Sequence, residues 1–218
     1  MDPVSDRTRL RREPERGSHD SAVIRAVIDA APICHLGYVD RDGRPVVIPT
    51  IHARVGDTLY VHGSVASRTL RRLAEGIDVC VTITNLDGIV LARSAFWSSM
   101  NYRSVMIFGT AREVTDPAEI DLALDAIVEH TVPGRGAELR RSTPAELRQT
   151  KVLAVPIDEA SAKIRAGDPN DDPADLDSPV WAGVVPLALR PGEPIPVAGL
   201  DPSIGPSPSV EALIADLR

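Results

Sequence analysis

The chain has 218 residues, 43% of them apolar, enough for one sizeable domain with extensions and too apolar for a wholly disordered chain. Its apolar runs fall well short of the roughly 20 residues of a membrane-spanning helix, and the opening MDPVSDRTRLRREPERG has none of the apolar character of a secretion signal, so a cytoplasmic protein with no membrane partner is expected. With 31 acidic against 24 basic side chains the formal charge is −7, which argues against nucleic acid as a partner and requires any bound anion to be held by a local cluster.

Residues 1–19 carry Arg7, Arg9, Arg11, Arg12 and Arg16 with almost no apolar pattern, and read as a basic, solvated arm. From Asp20 the pattern changes, and 20–166 reads as the folded domain. Val23, Ile24, Val27, Ile28 and Ala31 recur at helical spacing behind a capping Asp20 or Ser21, and Pro32 ends the run. Strands are predicted at Ile33–Val39, Pro45–Ala53 and Leu59–His62, separated by the turns Asp40–Gly43 and Val55–Asp57, and hairpins this tight imply antiparallel pairing. Ser67–Ala74 reads as a helix with Leu70 and Leu73 inward. Val79–Thr84 and Ile89–Ala92 read as two strands on either side of Asp87-Gly88, and Arg103–Val114 as one long strand bent at Gly109. Asp116-Pro117-Ala118-Glu119 starts a helix that buries Ile120, Ala123, Leu124 and Ile127. Thr143-Pro144-Ala145-Glu146 repeats the capping pattern, and Lys151–Ile157 closes the sheet. The fold class is therefore mainly β with helices (α+β), with six or seven mostly antiparallel strands.

Residues 167–218 form an acidic, proline-rich extension holding ten of the 19 prolines. Its apolar island Val180–Leu187 reads as a strand or docking segment, and Ser209–Leu217 as a short helix. Cys34 and Cys80 form no CxxC pair, so neither a disulfide framework nor a structural zinc is expected. No GxGxxG, Walker lysine, HExxH or GxSxG occurs, the five histidines share no helical ligand spacing, and no metal site is expected.

Chemistry concentrates in two stretches. In LYVHGSVASRTLRRL, Gly63 lets a ligand approach the backbone, Ser64 and Ser67 offer hydroxyls, and Arg68 shares a helix face with Arg71 and Arg72. Such like charges repel by about 0.2–0.5 kcal/mol per pair, which an anion would relieve. A solvated arginine face on an ordinary strand-to-helix connection has the same pattern. FWSSMNYRSV puts Phe96, Trp97 and Tyr102 beside Ser98, Ser99, Asn101 and Arg103, a surface suited to a flat heterocycle, or else an aromatic plug in the core. A third stretch, Val46–His52, is a strand interrupted by Pro49, expected at an edge or bulge.

The segments CHLGYVDRDGRPVVIPTIHAR, LYVHGSVASRTLRRL, SSMNYRSVMIFGTAREV and VWAGVVPL, in this order over Asp20–Leu187, resemble the pyridoxamine 5′-phosphate oxidase-like superfamily of FMN-binding split barrels, most closely its flavin-nucleotide-binding branch. The resemblance implies a six-stranded antiparallel split barrel that forms a homodimer with shared FMN sites, acting as an oxidoreductase on an unidentified small molecule. It implies that Ser67, Arg68 and Thr69 hold the FMN phosphate, with His62, Gly63 and Ser64 beside it. Val47, Ile48, Pro49, Thr50, Ile51 and His52 would line the isoalloxazine edge, and Tyr102, Arg103 and Ser104 of the second subunit would reach the ring or ribityl chain. Thr69 stands where the oxidases often carry a basic residue, so the phosphate leans on Arg71, Arg72 or backbone donors. After Arg165 only Arg190 and Arg218 are basic and no histidine follows, so the substrate-phosphate grip of the true oxidases is missing. Trp97 and Ser98 stand where related branches carry histidine, which implies a more apolar substrate side and argues against haem or metal ligation there. Hydride transfer at a flavin requires no side-chain acid or base, so no catalytic residue is assigned. The alternatives are a nitroimidazole reductase-like enzyme, a non-catalytic flavin or haem carrier or sensor, and a structural dimer with an empty cleft.

Overall fold

The computed structural model describes residues 5–215. In chain order its first elements are β1 (Gly17–Ser18), α1 (Ser21–Asp29), β2 (Cys34–Val39), β3 (Pro45–Thr50), β4 (His52–Val55), β5 (Thr58–Ser64) and α2 (Arg68–Leu73). There follow β6 (Asp78–Leu91), β7 (Ser99–Thr110), β8 (Arg112–Glu113), α3 (Pro117–Thr131), α4 (Pro144–Gln149), β9 (Thr150–Pro156), β10 (Glu159–Arg165), β11 (Gly183–Pro186) and α5 (Pro208–Ala215). They belong to two compact units. One gathers the residues up to Thr50 with Asp78–Thr110 and Pro156–Ala188, the other Ile51–Ile77, Ala111–Val155 and the residues from Leu189 on. No helix among the described residues is long and apolar enough to cross a membrane.

The first unit is a seven-stranded antiparallel sheet in the order β1-β10-β7-β6-β2-β3, with β11 added to β6. Leu36, Val81, Ile83, Val105 and Ile107 alternate onto its buried face. There they meet α1, which starts where Asp20 accepts the Ala22 and Val23 N–H groups and which buries Ile24, Val27 and Ile28. Pro45 and Pro49 lie on β3, the last strand in the order, where a missing ladder donor costs least.

Three expectations are corrected here. Asp87-Gly88 is not a turn between two strands: β6 runs through it, and Asp87 is the extra residue of a bulge as the register passes from Leu86 opposite Tyr102 to Gly88 opposite Asn101. Both halves pair with β7, which is long enough to hold them in line. The strand β10 (EASAKIR) is absent from the sequence reading because its inward residues, Ala160 and Ala162, are too small to print an alternating pattern. Nor is the arm solvated in its described part. Pro14–Arg16 make a 3₁₀ turn, β1 pairs with β10, and Lys163 donates to the Arg12 carbonyl at 3.0 Å. Arg7 pairs with Glu159 and lies 5.0 Å over the Phe108 ring. An edge strand rich in polar residues gives the arm a ladder to join and a carboxylate to pair with. The first four residues lie outside those described.

The second unit holds a four-stranded sheet, β4-β5-β9-β8, covered by α3 through Tyr60, Val114, Ala123, Ile127 and Val152. The predicted strands Pro45–Ala53 and Arg103–Val114 are each divided, near Ile51 and at Ala111, because each half finds its partners in a different sheet. Asp116 caps α3, but Glu119 does not reach back to the cap. Its carboxylate accepts from Tyr60 Oη at 2.8 Å and from Arg112 Nη1 at 3.1 Å. In α4 the reciprocal cap does form between Thr143 and Glu146.

Helix α5 is described to Ala215, and the expected end at Leu217 lies outside the described residues. Its start is held by Glu138, which accepts from Ser207 Oγ at 2.6 Å, Ser209 Oγ at 2.7 Å and Ser209 N–H at 2.8 Å. These donors hold the carboxyl at about 2, below its ordinary value of 4.5. A depressed carboxylate contributes stability that is complete above its ordinary value and is lost as pH falls toward the folded one. The latch is therefore expected to weaken between pH 4.5 and about 2. Pepsin cleavage within 189–215 should rise over that range, and Glu138→Gln should show the same cleavage at the upper end of it.

Candidate functional site

In the second unit β5 carries His62, Gly63 and Ser64 into a turn closed by Ser67 N–H on the Ser64 carbonyl at 2.9 Å, with Val65 N–H on Gln149 O at 3.1 Å. Ser67 caps α2, its Oγ accepting from Leu70 N–H at 3.3 Å, so the hydroxyl proton remains available to a ligand. Leu70 and Leu73 are buried and fix which face of α2 turns outward. Arg68 and Arg71 are exposed on that face, and neither side chain has a hydrogen bond or ion pair among the described residues. Arg72 differs: Nη1 donates to Glu75 at 2.5 Å, so the expected group of three arginines leaves two for an anion. A Cβ at Gly63 would lie 2.8 Å from Leu70 Cδ1, so that glycine makes room for the helix as much as for a ligand.

His62 is half-buried. Its Nδ1 is sealed from solvent without a partner, and its outer nitrogen makes no hydrogen bond to a described residue. Burial lowers its pKa and favours the neutral imidazole, the form that ligates metals. His52, expected in the same site, is fully buried with its ring centroid 4.7 Å from that of His130, so its side chain offers no surface to a planar ligand.

The first unit holds the other expected residues except Ile51, which belongs to the second. Val47, Ile48, Pro49 and Thr50 lie on β3, and Val47, 65% exposed, borders a shallow cavity of about 330 Å³ with Gly37, Tyr38, Cys80 and Phe108. Ile51 follows β3 and is exposed. Tyr102, Arg103 and Ser104 lie on β7. Ser104 Oγ donates to Lys163 O at 3.2 Å, and Arg103 is gripped by Asp87 through Nε–Oδ2 at 2.9 Å and Nη2–Oδ1 at 2.8 Å, which raises its pKa. Phe96, 84% exposed, and Trp97 stack edge to face at 5.0 Å, so they are not a core plug. Burial pushes the Cys34 thiol up to about 12, which leaves it inert as a nucleophile. Sequence reasoning missed Arg165, which is buried where β10 ends and donates to Asn101 Oδ1, to Gly167 O at 2.8 Å and to Asp168 O at 2.9 Å. The polar run Asn101–Ser104 was the available signal that this strand had buried polar partners.

Residues 20–164 match the pyridoxamine 5′-phosphate oxidase family. The chain belongs to that family. Its α+β architecture around a large antiparallel sheet is the family's split barrel. Two solved structures resemble this family member over nearly its whole length. The flavocytochrome Anf3 from Azotobacter vinelandii is 36% identical with a TM-score of 0.89, covering 98% of this chain and 99% of its own. The FAD and haem binding protein from Mycobacterium smegmatis is 40% identical with a TM-score of 0.86, covering 91% and 97%. A candidate 5-nitroimidazole antibiotic resistance protein from Bacteroides thetaiotaomicron is 27% identical with a TM-score of 0.59, covering 68% and 86%. No curated protein matches the chain in sequence.

Proposed function

We propose that this family member is a redox protein that holds both a flavin and a haem, with FAD in place of the FMN expected from the sequence, and that it does not oxidise pyridoxamine phosphate. The observation that carries the reading is the extent of the likeness: it runs past the family match at residue 164 and includes the proline-rich extension. When bound, the flavin supplies hydride or electron transfer and the haem single-electron transfer.

The chain's own residues fit both groups. Arg68 and Arg71 present uncompensated positive charge to a phosphate, with the Ser67 hydroxyl and Thr69 beside them. Arg103 and Tyr102 of the second subunit would serve the ring side of the flavin. His62, neutral and with an outer nitrogen that bonds to no described residue, would hold a haem iron. The exposed Val47 and the apolar cavity beside it suit a flat ring. The working unit is a homodimer with shared flavin sites, acting on a small molecule.

Purified protein supplied with flavin and haem is expected to show the visible flavin bands and a Soret band together, to release FAD by mass spectrometry, and to scatter light as a dimer. Protein that stays colourless would overturn the reading, and release of FMN would restore the sequence-based cofactor. The resemblance to the Bacteroides protein supports a second reading, a nitroreductase, which requires flavin-dependent loss of a nitroimidazole without oxygen.

A further inference from the structure

Arg103 is one of the flavin-facing residues proposed above, yet its guanidinium is not free to find a ligand. Asp87 holds it in a two-pronged grip, Nε to Oδ2 at 2.9 Å and Nη2 to Oδ1 at 2.8 Å. The two side chains are 37% and 36% exposed, so the pair is shielded on one side and open on the other. A fork of this kind fixes the guanidinium plane and leaves a planar cation little freedom to rotate.

The position of Asp87 follows from the bulge. It is the one residue of β6 between the pairs Leu86–Tyr102 and Gly88–Asn101 that has no partner on β7, which frees its side chain from strict alternation and lets it lean toward Arg103. The bulge is held from its other edge by the C-terminal extension. The Asp87 carbonyl accepts Leu187 N–H at 3.1 Å, and β11 pairs along Gly88–Leu91. That approach depends on Gly88, where a Cβ would lie 3.0 Å from Val184 Cγ1 and 3.2 Å from the Val185 carbonyl oxygen.

We infer that Asp87 is a positioning residue of the flavin site: braced by β11, it aims Arg103 and cancels part of its charge, so that the proline-rich extension sets the electron affinity of the flavin from a distance. The inference rests on the proposed flavin reading. A lone guanidinium beside the ring would stabilise the negative charge that reduction adds. A neutral Asp87–Arg103 pair does so less and keeps the flavin at a lower potential.

The test is a redox titration of the flavin-loaded protein with released flavin quantified. Asp87→Asn is expected to raise the flavin midpoint potential, and Asp87→Glu, which keeps the charge, to return it toward wild type. Leu187→Pro deletes the N–H that braces Asp87 without touching the pair and is expected to shift the potential in the same direction by less. It also serves if Asp87→Asn does not fold. Arg103→Gln separates the two levels. If it changes neither flavin affinity nor potential, Arg103 does not face the flavin and the inference falls while flavin binding stands; protein that takes up no flavin at all is the failure of the proposed function. If it lowers either one while Asp87→Asn and Leu187→Pro behave as wild type, only the positioning role is lost.

Discussion

His62→Ala is expected to abolish the Soret band while leaving the flavin bands and the fold in place. Haem iron needs a neutral imidazole with an accessible nitrogen, and His62 is kept neutral by burial with an outer nitrogen that meets no described partner. The other histidines fit less well. His52 is sealed in the core against His130, and His19 Nδ1 lies 3.4 Å from the Ala160 carbonyl. The substitution removes no hydrogen bond among the described residues, so its effect on stability should stay within the about 0.5–3 kcal/mol of ordinary substitutions. Added imidazole should restore part of the band by occupying the vacated space. His35→Ala, on the exposed face of β2, is the control. An unchanged Soret band in His62→Ala would reassign the ligand. Loss of flavin with retention of haem would return His62 to the flavin phosphate loop, where the sequence places it.

Helix ends were legible because their chemistry is local. Asp20, Ser67, Asp116 and Thr143 each cap the helix whose start they marked, and each cap is a hydrogen bond spanning three residues or fewer. What the sequence hid depends on partners far along the chain. Asp87-Gly88 has the composition of a hairpin turn, and only the length of β7 decides that it is a bulge. The divisions of two predicted strands near Ile51 and at Ala111 are likewise tertiary, since nothing in the β-branched runs around them says that the two halves serve different sheets. In β10 the buried apolar side chains are alanines, which carry too little apolar contrast to be read.

The candidate site divides along the same line. The turn into α2 was readable as a place for an anion from glycine, serine and arginine in sequence, and the exposed, unpaired Arg68 is consistent with it. That Arg72 belongs to Glu75, and Arg103 to Asp87, could not be read: the first is one of several possible helix pairings, and the second lay inside the supposed turn. A missing partner is invisible to sequence in principle, which is why His62 stood out only once its surroundings were known.

Arg68→Ala is expected to weaken flavin binding about 10- to 100-fold, from a loss of about 1.5–3 kcal/mol for a hydrogen bond to a charged group. The substitution isolates binding from folding, because the guanidinium is exposed and bonds to no described residue, so nothing within the protein is left unpaired when it goes. Arg71→Ala should cost less, since it lies further along α2 from the Ser67 cap. Arg72→Ala should leave affinity unchanged and remove only the pairing with Glu75. Thr69 supplies no second cation, so flavin affinity should depend on Arg68 more heavily than in a clamp with two charges. Arg68→Lys should recover only part of the loss, because an ammonium restores the charge but not the two-pronged grip on phosphate oxygens. Fluorescence quenching of FAD and FMN at two salt concentrations measures all four variants, and the difference between wild type and Arg68→Ala should narrow at high salt. If Arg68→Ala binds both flavins as wild type does, the turn into α2 is an ordinary solvated connection and the phosphate must be sought elsewhere in the chain.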